Sequence, residues 1–91
     1  MEYLICYDVS ETKIRNGLVK FLETFAWRLQ GSVFYCEHLP MTEDALISRM
    51  EAITSGASCR RLLVAPFCGH CEERMWMVGA MEEKGTEYIA I

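Results

Sequence analysis

Ninety-one residues, 52% apolar and 24% charged with two prolines and six glycines, have the composition of one ordinary folded domain and carry no disordered signature. A net charge of −4 excludes a protein that grips nucleic acid over its whole surface, since phosphate binding is driven by Lys and Arg, but it leaves room for a local basic patch. No apolar run approaches the roughly 18 residues needed to cross a bilayer, and the first ten residues hold Glu2 and Asp8 without a basic cluster, so a soluble, cytoplasmic protein with no membrane role is expected.

A domain of this size buries only about two-thirds of the surface its unfolded chain exposes, so association with another copy would help it. Of the five cysteines, Cys6, Cys36 and Cys59 lie in apolar or strand-like runs and read as reduced core residues.

The chain opens on Tyr3 to Ser10, an apolar strand pattern that ends in a carboxylate and runs into a helix. Tyr3, Ile5 and Tyr7 fall on one side and Leu4, Cys6 and Asp8 on the other; both sides are largely apolar, which predicts a strand covered on both faces. Ile14, Leu18, Phe21, Leu22 and Phe25 then recur at helical spacing, giving a helix capped by Ser10 and running to about Ala26. Gly17 inside it costs about 1 kcal/mol relative to Ala and is either tolerated or admits a close neighbour.

Arg28 to Leu39 is rich in β-formers and interrupted at Gly31, so it is one bent strand or a hairpin. Pro40 ends it, and Thr42 caps a second helix with Glu43 and Asp44 in the first turn and Leu46, Ile47, Met50 and Ile53 as the buried stripe. Ser55-Gly56 stops that helix, and Arg60 to Phe67 forms the next strand. Cys68 to Cys71 reads as a tight connection, Arg74 to Val78 as a short strand, and residues 86–91 as a C-terminal strand pairing across a dimer. The whole chain, 1–91, is thus one α+β domain, a ferredoxin-like βαββαβ sandwich with an extra C-terminal strand. Its helices cover one face of a four-stranded sheet, and a second copy is the simplest cover for the other.

Individual candidate residues have plain readings as well as chemical ones. A lone Asp8 after a strand is commonly a cap or turn residue, and one carboxylate makes a poor magnesium site unless dimer symmetry supplies a second. Arg15 and Arg28 are either solvated charges or phosphate forks; Arg60 and Arg61 are either charges that protect a sheet edge or part of a nucleic-acid rim. Tyr7 and Phe34 read as core or interface aromatics before base-stacking platforms. Cys68 and Cys71 with His70 between them make half a zinc site, and His38 stands alone.

Four segments together carry a family resemblance: Tyr7-Asp8-Val9-Ser10, Ile14-Arg15-Asn16, Arg28-Leu29-Gln30-Gly31-Ser32-Val33-Phe34, and Pro66-Phe67-Cys68 followed by Cys71. In that order and spacing the chain resembles the small CRISPR-associated adaptation proteins, the Cas-two family of metal-dependent endoribonucleases. The resemblance implies a homodimer in which two copies of Asp8 face each other and bind a divalent metal, usually Mg2+. It places nucleic-acid contacts at Tyr7, Arg15, Arg28, Ser32 and Phe34, and makes Asp8 both the metal ligand and the catalytic residue. It also implies assembly with the CRISPR integrase, the Cas-one family, on DNA, with single-stranded RNA as a further substrate.

Some members carry a second arginine where this chain has Gly17, and many have glutamate where it has Tyr35; both departures remove charge near the implied site. Two functions follow: a phosphodiester-hydrolysing nuclease, or a non-catalytic DNA-binding scaffold bridging integrase dimers.

Overall fold

The alternating apolar pattern near the N-terminus becomes the central strand of an antiparallel sheet. The computed structural model describes residues 1–68. Their elements run β1 (Glu2–Val9), α1 (Thr12–Glu23), β2 (Trp27–Gln30), β3 (Val33–Cys36), α2 (Glu43–Ile53) and β4 (Arg60–Phe67), and the sheet order is β2-β3-β1-β4. This is the expected ferredoxin-like arrangement, with both helices on one face. The strands expected at Arg74 to Val78 and at 86–91, and the Cys71 end of the half zinc motif, lie outside the described residues. Among the described residues no helix is long and apolar enough to cross a membrane.

Tyr3, Ile5, Tyr7 and Val9 bury their side chains against Leu18 and Leu22 of α1 and Leu46 and Met50 of α2. Each such fully buried aliphatic side chain contributes roughly 1.5–3 kcal/mol relative to exposure. Across the helices, Arg49 lies over the Phe21 ring with its guanidinium carbon 5.1 Å from the centroid. The second face of the sheet carries a smaller cluster, with Leu29 and Tyr35 buried and Leu4, Trp27, Val33 and Phe67 packed around them. Leu4 and Cys6 are half-buried there, whereas Leu63 stays 56% exposed.

The open choice over Arg28 to Leu39 resolves as a hairpin. Gln30 pairs with Val33 across a two-residue turn in which Gly31 takes φ +47, a conformation that disfavours residues with a Cβ. The register slips between Arg28 and Gln30, so the irregularity sits just before the glycine.

Four local expectations are corrected. Ser10 does not cap α1: Glu11 holds that position without a side-chain capping bond, because the Ser10 hydroxyl is drawn into contacts with the loop before β4. The helix closes at Glu23 rather than Ala26, where Thr24 donates its hydroxyl to the Phe21 carbonyl, 2.7 Å. Ile47 is 41% exposed instead of buried, since α2 turns Leu46 and Met50 into the core with Ile53 packed against it. Cys59 is exposed in the loop before β4 rather than in the core, and Cys6 is half-buried on the second face. Thr42 does cap α2, accepting from the Ala45 N–H at 3.1 Å.

Candidate functional site

One end of the sheet collects the residues with chemistry: the C-terminal end of β1, the β2–β3 turn, the first turn of α1 and the start of β4. Asp8 is the exposed residue of β1 in an otherwise buried or half-buried strand. Antiparallel registry sets it directly opposite Arg61 of β4, with Cys6 opposite Leu63. Residues directly opposite on an antiparallel pair project from the same face with Cβ atoms about 4.5–5.5 Å apart. Asp8, Arg61, Cys6 and Leu63 accordingly line one open depression of ≈230 Å³ on the sheet face away from the helices. Burial pushes the Cys6 thiol above its ordinary pKa, so it is a neutral, mildly apolar wall and not a thiolate.

The end of β1 is held by three sets of contacts. Arg15 reaches back from α1 and donates to the Val9 carbonyl at 3.0 Å and to Thr12 Oγ1 at 3.1 Å. The Tyr7 N–H donates to the Ser32 carbonyl at 3.2 Å, which extends the β1–β3 ladder into the hairpin turn. Glu11 accepts from the Ser10 hydroxyl, from the Ser58 hydroxyl at 2.9 Å and from the Ser58 N–H at 3.2 Å, joining the β1–α1 and α2–β4 connections. Those hydrogen bonds, led by the one from Ser10, hold the Glu11 carboxyl below its ordinary range. Ser10 completes the clamp through its N–H, which donates to the Cys59 carbonyl at 3.1 Å.

The six residues implied by the family resemblance therefore divide. Asp8 is exposed on the outer face, and Ser32 is exposed in the neighbouring turn. Tyr7 and Phe34 lie in the helix-side core at 6% and 0% exposure with ring centroids 6.1 Å apart; neither ring offers a face on which a base could stack. Arg28 lies on edge strand β2 with its guanidinium carbon 5.5 Å from the Phe34 ring centroid, two strands away from Asp8. Arg15 is tied to the strand end.

Arg60 and Arg61 also part company. Arg60 donates to the Glu51 carbonyl at 2.9 Å and to Thr54 Oγ1 at 3.0 Å, closing the C-terminus of α2, where a cation also meets the helix dipole favourably. Arg60 thus has a structural role at the end of α2. Sequence reasoning missed this cap, and it missed the Glu11 clamp; a basic residue a few positions beyond a helix end was the available signal for the first, and nothing local marks the second.

Among the described residues no group of three or more His, Cys, Asp or Glu side chains is disposed to hold a metal. Asp8 provides one exposed carboxylate beside an open depression, half of the carboxylate pair that the family resemblance implies for a magnesium ion.

Residues 1–75 match the family described as CRISPR associated protein Cas2. The chain is 31% identical over 80 residues to a Chloroflexus aurantiacus protein named CRISPR-associated endoribonuclease Cas2 1, covering 87% of this chain and 85% of that one. It is 30% identical over 82 residues to a Rhodospirillum rubrum protein, CRISPR-associated endoribonuclease Cas2 4, covering 90% of this chain but only 65% of the relative's length. The crystal structure of a hypothetical protein, TT1823, from Thermus thermophilus superposes with a TM-score of 0.70 over 88% of this chain and 92% of that one; at 23% identity this similarity speaks to fold.

Proposed function

The chain belongs to the CRISPR associated protein Cas2 family, and from that premise we propose that it is a CRISPR-associated endoribonuclease whose phosphodiester chemistry is centred on Asp8. The observation that carries this reading is the exposure of Asp8 at the end of an otherwise buried or half-buried strand, over an open depression and opposite an arginine. A divalent ion such as Mg2+ held there would acidify a bound water and neutralise charge on a scissile phosphodiester. Asp8 is the residue that would hold it, and a second copy of the chain would bring a second carboxylate. Arg15, Tyr7 and Ser32 serve this site by fixing the backbone around Asp8.

The apolar outer face supports the homodimer in this reading. Leu63 is largely exposed beside the site, and a single small domain gains from covering such a surface.

A second reading keeps the family and drops the chemistry: a scaffold that bridges integrase subunits on DNA during spacer acquisition. The burial of Tyr7 and Phe34 and the single carboxylate favour it, because they leave a sparse catalytic set.

Replacing Asp8 with Asn in the full chain, then measuring magnesium-dependent RNA and DNA cleavage alongside spacer acquisition in cells, separates the two. Loss of both activities supports chemistry at Asp8. Lost cleavage with intact acquisition supports the scaffold, and undiminished cleavage removes Asp8 from the catalytic role.

A further inference from the structure

Five arginines fall among the described residues, and four of them are committed elsewhere. Arg15 donates to the Val9 carbonyl and Thr12, Arg28 lies over Phe34, Arg49 lies over Phe21, and Arg60 caps α2. Arg61 alone is exposed on the outer face beside the proposed site. The alternation of β4 sends Arg60 to the helix side and Arg61 to the Asp8 side, and the register places Arg61 directly across from the carboxylate.

We infer that Arg61 is the phosphate-binding residue of the Asp8 depression: its guanidinium takes two oxygens of a nucleic-acid phosphodiester while Asp8 faces the same group. This inference rests on the nucleic-acid reading of the site.

Three physical points support it. A carboxylate and a phosphate brought together repel, in a chain whose net charge of −4 already opposes polyanions, so the site needs a local cation. The planar guanidinium fork matches a pair of phosphate oxygens, which a point charge does less well. Apart from Asp8, the residues lining the depression include no acidic side chain to compete with a phosphate for the guanidinium. Arg61 touches substrate in this account, so its loss acts on binding first.

The test uses the full chain in two backgrounds. In Asp8→Asn protein, which isolates binding from turnover, the affinity for a labelled single-stranded RNA and for a DNA duplex is measured by anisotropy through a salt series. Arg61→Ala should weaken binding about tenfold and flatten the slope of log K against log salt by about 0.7 for the single strand or 0.9 for the duplex, the loss of one phosphate contact. Arg61→Lys should restore the slope but only part of the affinity. A flattened slope on one nucleic acid and not the other identifies which strand type the residue meets.

An unchanged slope on both overturns the inference, as does a slope change in Arg61→Ala that Arg61→Lys fails to restore. In the Asp8-containing protein, Arg61→Ala should raise KM for magnesium-dependent cleavage with little change in thermal midpoint. If the unaltered protein cleaves nothing, the nuclease reading fails while the salt slopes still decide Arg61.

Discussion

Replacing Arg15 with methionine separates two roles that the sequence leaves merged, because methionine keeps much of the stem and removes the guanidinium. Arg15 makes one part-buried hydrogen bond to the Val9 carbonyl at 3.0 Å and one exposed bond to Thr12 Oγ1 at 3.1 Å. A hydrogen bond from a charged donor contributes about 1.5–3 kcal/mol net, and the exposed one is worth a fraction of that, so the substitution should cost about 2 kcal/mol. For a domain of this size each kcal/mol moves the thermal midpoint by about 4–8 °C, which puts the expected drop on the order of 10 °C. Thermal unfolding followed by circular dichroism, at one fixed protein concentration because self-association would shift the midpoint, reads it directly. Lysine at the same position reaches a single acceptor and should recover about half of the loss. A midpoint within 2 °C or so of the unaltered protein, combined with a flattened salt dependence of RNA binding, would refute the bracing role and return Arg15 to the phosphate.

Gly17→Ala should stabilise the protein by about 0.5–1 kcal/mol, seen as a rise of several degrees in thermal midpoint, because the glycine is exposed in mid-helix and an added Cβ meets only Ile53 Cγ2 at an ordinary 3.9 Å. A fall in midpoint would show that α1 and α2 need the glycine to approach. Cys36 predicts an alkaline weakening: burial pushes its thiol from 9.0 up to about 11, so the unfolded chain loses the proton first. Its contribution is fully present below pH 9 and is lost as pH rises towards 11. Tyr3, raised chiefly by its hydrogen bond to Glu43, and Cys6 add in the same direction. Urea unfolding of Cys36→Ala under reducing conditions should therefore show a shallower but still falling stability over this range; an unchanged slope would sink the assignment.

Much of the fold was legible because its signals are local. Alternation in Tyr3 to Val9 sorts its own side chains to two faces, and the spacing of Leu18 and Leu22 marks the buried stripe of α1. Thr42 needs only the helix that follows it. What stayed hidden depends on register or on distant partners. Whether Arg60 or Arg61 faces the helices is a matter of parity along β4, and that parity is fixed only once Val9 pairs with Arg60 and Asp8 with Arg61. Ser10 read as a cap because nothing near it announces Ser58, 48 residues away, whose loop claims its hydroxyl. Ile47 read as buried because a helix stripe wider than the sheet it packs on looks the same in sequence as one that fits. The aromatics of the family resemblance were legible as core, and the structure puts Tyr7 and Phe34 there together.

The division of labour among charges explains how so small a domain can present an exposed carboxylate at a braced strand end. An exposed Asp at a strand end is useful only if the strand end does not fray, and edge and terminal residues open most readily. Here Arg15 secures the Val9 carbonyl from one side, Glu11 binds the flanking connections together from the other, and Arg60 ties β4 to the end of α2. All three bracing side chains lie outside β1, so the scaffold around Asp8 spans both helices and the neighbouring strand. With those charges spent on rigidity, the outer face keeps Asp8 and Arg61 as its opposed pair beside the exposed Leu63. On the proposed reading catalysis and docking draw on the same surface, and a second copy covering Leu63 would also decide what reaches Asp8.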